Sequence, residues 1–169
     1  MTENNINSLL DLDHIKLLFS IFKNNNSEIR LVGGSIRDTL INREIGDIDS
    51  ATSLEPNDVL ELLENNNIEY DDFAIRYGSI TAYPNNKKIQ ITSLREDINQ
   101  LGRHTSVLYT KDWKKDAARR DFTFNALYLG NNLKFYDYYN GQKDLKNKSI
   151  KFIGEIEDRR KEDYLRIYR

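Results

Sequence analysis

The sequence predicts an α+β, or mixed α/β, protein with a small and largely antiparallel sheet flanked by helices. Two observations predict this class. Helical periodicity is confined to a few separate segments, and three strand-like runs, 68–72, 79–83 and 88–94, follow one another with no helical pattern between them. Strands joined by short turns pair antiparallel, so a doubly wound parallel sheet is not expected.

Chain length and composition indicate one soluble globular domain. The 169 residues are 38% hydrophobic, 31% charged and 11% aromatic, which argues against disorder. There is no cysteine, which excludes a disulfide framework and a thiolate metal site. No apolar run approaches the ~18 residues of a membrane span, and no basic segment opens a signal peptide. We therefore expect a cytoplasmic protein that does not contact a membrane.

The charge balance limits how the chain could contact nucleic acid. Its formal net charge is −2 and its sequence pI is about 5.8. A polycation is thereby excluded, so any RNA contact requires a local basic surface or a partner region.

The predicted elements begin with a long amphipathic helix. Apolar residues recur at intervals of three and four between Ser8 and Phe22. A strand over 28–32 leads into Gly33-Gly34, and Pro56 suits the first turn of another helix. The remaining predictions are a helix over 35–41, a strand over 47–51, the helix from 56 to 65, and the three runs named above.

Paired carboxylates mark the strand over 47–51. Side chains alternate faces along a strand, so Asp47 and Asp49 point the same way while Ile48 points to the opposite face and is available for burial. Two close carboxylates remain ionised most readily with a divalent cation between them. Because the donors are oxygens only, magnesium or manganese is favoured over zinc.

The glycine pair supplies a second functional element. Gly33 and Gly34 permit a tight turn and a close approach of backbone N–H groups to an anion at a helix start. Alone, such a pair is more often a simple turn, and Asp-x-Asp more often a solvated strand end. Their order within one strand–turn–helix–strand unit favours a phosphate cradle beside a metal site, which suits phosphoryl or nucleotidyl transfer.

Two further segments carry polar groups. Residues 95–110 show no clean hydrophobic period and are predicted to form an irregular loop that contacts a ligand. His104 in this loop is interpreted as a surface hydrogen-bonding residue rather than as a catalyst. Residues 111–120 concentrate positive charge, for which a solvated helix with i,i+4 ion pairs is an open alternative. Arg119, Arg120 and Asp121 fit that alternative less well, because the apolar run 122–129 holds them beside the core, with Asn125 inside it.

Four segments resemble, in order, the motifs of the class II nucleotidyltransferases, the family of bacterial poly(A) polymerases and tRNA CCA-adding enzymes. GGSIRD with DID and AT resembles motif A, and RRDFTFNA resembles motif B. DYYNGQKDL is a weaker match to motif C, with Asp137, Gly141 and Asp144, a motif that is mainly structural. EDYLR resembles motif D, which reads ATP and CTP. The resemblance spans about 29–169 and implies the family's polymerase-beta-like head.

The resemblance implies roles for individual residues. Asp47 and Asp49 would hold Mg²⁺, and Asp121 is a candidate third carboxylate. From spacing alone, Asp163 and Arg166 would more simply form a surface salt bridge, yet an Asp–Arg fork can read both edges of a base. The implied nucleotide-binding residues are Gly33, Gly34, Arg37, Arg119, Arg120, Asn125, Asp163, Arg166 and Arg169.

Several functions share these motifs. The segment RYGSI at Arg76–Ile80 resembles CCA-adding members, so addition of CMP and AMP from CTP and ATP to the 3′ end of tRNA is the preferred prediction. Poly(A) synthesis and addition of CC or A alone are alternatives. A non-catalytic nucleotide- or RNA-binding fragment of a split gene is the alternative from another class, and motif D argues against a small-molecule nucleotidyltransferase.

The domain prediction places a catalytic head at 1–152 and the start of a helical neck at 153–169. The last helix gains Tyr164, Leu165, Ile167 and Tyr168 where the sequence stops, without a Gly or Pro stop signal. We expect this helix to continue into a helical tRNA-binding region, separate or missing here, so that the chain is a fragment or a truncated or split gene product.

Overall fold

The computed structural model describes residues 2–101 and 104–154, and only the backbone of residues 2–3, 98–101 and 104–106. Its α-helices are α1 (Thr2–Leu10), α2 (Asp13–Asn24), α3 (Gly34–Leu40), α4 (Pro56–Asn65), α5 (Trp113–Ala118) and α6 (Gly141–Lys146). Its strands are β1 (Ile29–Val32), β2 (Ile48–Thr52), β3 (Tyr70–Asp71), β4 (Ser79–Ala82), β5 (Ile89–Ser93), β6 (Arg95–Leu101), β7 (His104–Tyr109), β8 (Leu127–Leu129) and β9 (Phe135–Asp137). Short 3-10 turns occur at Ile75–Tyr77, Pro84–Asn86 and Thr123–Asn125.

A seven-stranded mixed sheet forms the centre of the fold. The strand order is β3-β4-β5-β2-β1-β8-β9. Five of the six pairs of neighbouring strands are antiparallel, and the pair of β2 and β5 is parallel. The predicted fold class, mixed and largely antiparallel with flanking helices, is therefore confirmed.

Each face of this sheet carries its own apolar core. Helices α1, α2 and α4 cover one face, where Phe22, Leu31 and Leu63 are at most 1% exposed. The other face packs against α5 through a smaller cluster that includes Val32 and Tyr128. Because side chains alternate along β1 and β2, residues one position apart belong to different cores.

The N-terminal helical segment is not one helix, as the periodicity predicts, but two. Helix α1 ends at Leu10, and Leu12 adopts an extended backbone (φ −61°, ψ 127°) before α2. The Lys16–Asp11 ion pair of 2.8 Å spans the break. Both helices bury apolar residues in the same core, so the spacing of Leu9 and Ile15 continues across a two-residue interruption and conceals it.

Residues 95–110 are also more regular than predicted. Strands β6 and β7 pair antiparallel as a separate two-stranded sheet, with Arg95 opposite Tyr109 and an irregularity between Ile98 and Leu101. Charged residues occupy alternate positions at the start of β6, namely Arg95 and Asp97, and both face the cavity described below. The hydrophobic period that identifies a strand is therefore missing.

Within the described ranges, 2–101 and 104–154, no helix is long and apolar enough to cross a membrane.

Candidate functional site

A polar cavity of about 440 Å³ opens where β1 and β2 meet the segment after α5. Most of its lining was predicted from the sequence. Arg95 and Asp97 on β6 were not named individually, although they belong to the segment 95–110 that was predicted to contact a ligand. The lining residues are Gly33, Gly34, Arg37, Asp49, Arg95, Asp97, Arg119, Arg120, Asp121 and Asn125.

The pairing of β1 with β2 sets the first side of the cavity. Asp49 lies opposite Val32, the residue immediately before Gly33. Ile48 is 8% exposed and packs in the core of the opposite face, as the alternation predicts. Gly33 has a positive φ of +78°, a conformation that residues with a Cβ rarely adopt. The carboxylate of Asp49 is therefore brought beside the glycine turn by strand register alone.

The N–H groups of the glycine turn do not all face the cavity. Gly33 N–H donates to the carbonyl of Leu127 on β8 over 3.2 Å. This bond anchors the turn to the sheet and commits that N–H group. Any backbone contact to a phosphate must therefore come from Gly34 and the residues after it.

The two acidic residues at β2 have different surroundings. Burial and the negative charge of Asp47 raise the pKa of Asp49, while the charges of Arg120 and Lys88 oppose the rise. The side chain of Asp47 is 78% exposed just before β2, does not line the cavity, and lies 3.4 Å from Lys88. An added cation would favour the ionised form of Asp49, so this pair of oxygen donors suits a hard divalent ion.

Asp121 also lines the cavity. Its Oδ1 accepts hydrogen bonds from the backbone N–H of Phe122 (2.8 Å) and from Nδ2 of Asn125 (3.0 Å). Among the side chains that the structure describes, no three acids or histidines lie close enough to hold a metal together. The predicted third carboxylate is thus not grouped with Asp47 and Asp49 in this structure.

A hydrogen-bonded relay joins Asp121 to the glycine turn. Arg37 in α3 donates from Nη1 to Oδ1 of Asn125 (2.9 Å) and pairs with Asp38 (2.9 Å). Asn125 in turn donates to Asp121. The amide of Asn125 therefore has the partners that its place within an apolar run requires, and it fixes the two sides of the cavity relative to each other.

A buried carboxylate holds the two predicted arginines. Asp116 in α5 is fully buried and lies 2.8 Å from Arg119 and 3.3 Å from Arg120. Tyr128 donates its hydroxyl hydrogen to Asp116 over 2.7 Å. Burial alone would raise the pKa of Asp116, but the charges of Arg120 and Arg119 and the hydrogen bond from Tyr128 lower it below its ordinary value. Asp116 is thus held ionised and fixes both guanidinium groups.

Asp116, Tyr128 and Arg95 were not named from the sequence as site residues. All three support the positions of Arg119 and Arg120. Arg95 Nε lies 3.2 Å from Asp97, and its backbone N–H donates to Asp116 over 3.3 Å. Burial and the charge of Arg119 lower the pKa of Arg95. The sequence signal for Asp116 was its position three and four residues before Arg119 and Arg120, a spacing that a solvated helix shows equally. The signal for Arg95 was its place in the polar segment 95–110.

The lysines around α5 and the segment that resembles motif C lie outside the cavity lining. Asp112 caps α5 by accepting from the N–H of Lys114 (2.8 Å). Lys115 is exposed, as in the solvated-helix alternative, but its ion pair is with Glu96 of β6 (2.9 Å) and not with a residue four positions away in the helix. Asp137 caps α6 by accepting from Gly141 N–H over 2.8 Å. A Cβ at Gly141 would lie 2.3 Å from the carbonyl oxygen of Thr123, so α6 packs closely against the cavity segment.

The base-reading candidates Asp163, Arg166 and Arg169 lie outside the described residues, as does the side chain of His104. The predicted terminal helix falls in the same range, 155–169.

Comparison with known proteins adds independent findings. The sequence profile of the poly A polymerase head domain matches residues 29–151. The human CCA tRNA nucleotidyltransferase 1, mitochondrial, is 41% identical over 92% of this chain, and the CCA-adding enzyme of Listeria monocytogenes (strain EGD-e) is 37% identical over 84%. The CCA-adding enzyme of Bacillus stearothermophilus, solved in complex with CTP, superposes with a TM-score of 0.81 at 29% identity over 93% of this chain.

These proteins are considerably longer than the present chain. The chain spans about 36% of the human and Listeria relatives and 38% of the solved Bacillus structure. The similarity therefore concerns one portion of each relative.

Proposed function

The chain belongs to the poly A polymerase head domain family, and from this premise we propose that it transfers CMP and AMP from CTP and ATP to the 3′ end of tRNA with Mg²⁺. One observation supports the proposal most directly. The cavity brings a carboxylate, Asp49, together with a glycine turn and the guanidinium groups of Arg119 and Arg120. A metal ligand, a phosphate cradle and fixed positive charge are what in-line nucleotidyl transfer requires.

Asp47 and Asp49 are the proposed magnesium ligands. Family members of this kind typically depend on a metal ion, and the oxygen donors at the start of β2 favour magnesium. When bound there, magnesium supplies charge neutralisation at the phosphates and activation of the attacking 3′ hydroxyl. The two residues contribute unequally, since Asp49 faces the cavity and the exposed carboxylate of Asp47 must turn away from Lys88.

The other predicted residues are proposed to bind the nucleotide. Arg119 and Arg120 compensate the charge of the triphosphate, and Asp116 holds both in place before the substrate arrives. Gly34 and Arg37 contact the triphosphate, with Gly33 shaping the turn. Asn125 and Asp121 lie near the ribose, and Asp121 stays a candidate for a further catalytic carboxylate. The proposed base-reading residues are Asp163, Arg166 and Arg169.

We also propose a division of the chain into two parts. Residues 1–152 form the catalytic head and 153–169 begin a helical neck. Because the matched part of this chain spans only about 36% of the human and Listeria relatives, we propose that a C-terminal helical region, on the same or a separate chain, grips the tRNA.

CCA addition is preferred over poly(A) synthesis because the relatives from human and Listeria carry names of CCA-adding enzymes. A cytoplasmic location is also proposed as the default for a sequence whose lack of cysteine fits a reducing compartment, although the human relative is named as mitochondrial. Imaging of a fluorescent fusion in the source cell tests the location.

The direct test is incorporation of labelled nucleotides into a tRNA that lacks its CCA end. The chain is assayed with Mg²⁺, alone and with the C-terminal helical portion of a CCA-adding relative. We expect ordered addition of CMP and then AMP, and loss of addition in Asp49→Ala. The exposed Asp58→Ala in α4 is the matched control and should retain activity.

Other products identify the alternatives. Runs of AMP would indicate poly(A) synthesis, and CMP alone or AMP alone would indicate a partial enzyme. Metal-dependent binding of CTP without any product under complementation would contradict catalysis and leave a nucleotide-binding module.

A further inference from the structure

The guanidinium group of Arg30, on β1, is buried outside the cavity. Arg30 is 5% exposed, and its Cζ lies 3.7 Å from the ring centroid of Trp113 and 3.4 Å from that of Tyr136. Its Nε lies 2.7 Å from Glu28, and its Nη1 donates to the hydroxyl of Tyr138 over 3.3 Å. A planar cation between two rings, with a counter-charge at its edge, is held in one orientation.

Trp113 connects this stack to the cavity. It is the first residue of α5, and its ring meets the ring of Tyr128 edge-on at 5.4 Å and 86°. The hydroxyl of Tyr128 donates to Asp116 (2.7 Å) and accepts from Arg120 Nε (3.2 Å). Direct contacts therefore run from Arg30 through Trp113 and Tyr128 to the carboxylate that holds the cavity arginines.

Helix α5 needs such external support. It contains six residues, from Trp113 to Ala118, fewer than two turns. A helix this short is not stable by itself, so its orientation depends on its cap and its packing. Asp112 caps its first N–H groups, while Arg30 packs on the ring at its first position. Asp116, Arg119 and Arg120 follow within the next turns, so a tilt at Trp113 displaces all three.

We propose that Arg30 is a positioning residue for nucleotide binding, which fixes α5 and thereby the guanidinium groups of Arg119 and Arg120 in the cavity. This inference rests on the proposed function, in which those arginines meet the triphosphate. Arg30 itself touches no substrate, because it lies behind α5 and does not line the cavity. It acts on affinity by keeping the binding geometry formed before the nucleotide arrives.

The test compares the affinity of the chain for Mg²⁺·CTP in variants of Arg30, measured by calorimetry. Arg30→Met retains length and removes the charge and the planar stack, and we expect an affinity about tenfold lower. Arg30→Lys retains the charge without the planar group, so an intermediate loss is expected. Lysine also provides the measurement if the methionine variant does not fold.

Two matched controls separate positioning from general stability. Arg76→Met removes another arginine–aromatic contact, with Tyr77 at 4.7 Å, at an exposed site away from the cavity. Leu63→Ala removes a fully buried side chain from the core on the opposite face of the sheet and lowers the melting temperature. Well below its melting temperature, each control should bind Mg²⁺·CTP as the wild type does.

Trp113 provides a second readout, because it is the one tryptophan of the sequence. Nucleotide binding to Arg119 and Arg120 is expected to change its fluorescence through α5. In Arg30→Met, the emission of the free protein should shift, and the nucleotide-dependent change should shrink in parallel with affinity.

The outcomes are distinguishable. If the wild-type chain does not bind Mg²⁺·CTP, the proposed function fails and the positioning role fails with it. If the wild type binds and both Arg30 variants bind equally well, the positioning role alone is refuted. A lower melting temperature with unchanged affinity, as in Leu63→Ala, would likewise make Arg30 a purely structural residue and overturn the inference.

Discussion

The hydroxyl of Tyr128 donates a hydrogen bond of 2.7 Å to the buried carboxylate of Asp116. This pair joins β8 of the central sheet to α5, and it determines where Arg119 and Arg120 lie. A charged group without solvent contact requires several such partners to remain ionised. The cavity thus depends on a carboxylate that does not itself line it.

Asp116→Asn is predicted to be far more destabilising than Tyr128→Phe. The asparagine variant leaves the charges of Arg119 and Arg120 uncompensated, for which we expect a loss of about 3–5 kcal/mol in the free energy of unfolding. The phenylalanine variant removes two hydrogen bonds, to Asp116 and from Arg120, while both arginines stay paired with Asp116, and a loss of about 1–3 kcal/mol is expected. Urea unfolding measures both values. Equal losses would contradict the central role of Asp116.

The stability of the protein should fall steeply in acid because of the same carboxylate. The pKa of Asp116 lies below its ordinary value in the folded state, since its arginine and tyrosine partners outweigh the effect of burial. Its stabilising contribution is fully present above the unfolded pKa of about 3.9 and is lost as the pH falls through the lower folded pKa. The free energy of unfolding, measured between about pH 6 and pH 2, should therefore change less with pH in Asp116→Asn than in the wild type. An equal pH dependence in the two proteins would refute this role of Asp116.

Arg95 is predicted to contribute to nucleotide binding although no sequence pattern singled it out. It lines the cavity together with Arg119, and burial, followed by the charge of Arg119, lowers the pKa of Arg95. An anion in the cavity would relieve this repulsion. Arg95→Gln should weaken Mg²⁺·CTP binding by roughly 1–2 kcal/mol, in the range of a charge-assisted hydrogen bond. The exposed Arg43→Gln serves as the control, and equal affinity in the two variants would remove Arg95 from the site.

Gly141→Ala is predicted to disturb the cavity from behind. The added Cβ would lie 2.3 Å from the carbonyl oxygen of Thr123, a backbone atom that cannot move without shifting the segment containing Asp121 and Asn125. Overpacking of this kind costs about 1–3 kcal/mol. Thermal unfolding and Mg²⁺·CTP binding should both be impaired. Gly46→Ala, where a Cβ would meet nothing within 4 Å, is the control, and an unchanged Gly141→Ala would contradict the close packing of α6.

Local sequence could predict the part of the site that is formed by elements adjacent along the chain. Asp49 and Gly33 are connected by one short helix and one strand, so a two-residue alternation and a glycine turn suffice to bring them together. Strand β8 provides no such signal. Tyr128 looks like one more apolar residue in the run 122–129, and its hydroxyl finds Asp116 only when β8 and α5 pack together.

Two sequence predictions were wrong, the single N-terminal helix and the irregular segment over 95–110, and both have one physical origin. The break between α1 and α2 keeps the helical spacing of apolar residues, so periodicity cannot show it. The hairpin of β6 and β7 directs charged side chains into a polar cavity, so it lacks the apolar alternation of a strand. In both cases tertiary packing, which spacing does not encode, determines the local structure.

The most direct test of the account is a crystal structure of the chain with CTP and Mn²⁺, in which the metal is located by anomalous scattering. We expect a manganese peak roughly 2.0–2.5 Å from carboxylate oxygens of Asp47 and Asp49. The triphosphate should lie between Gly34 and Arg119. A nucleotide bound elsewhere, or a metal that does not contact Asp49, would contradict the proposed nucleotidyl transfer at this cavity.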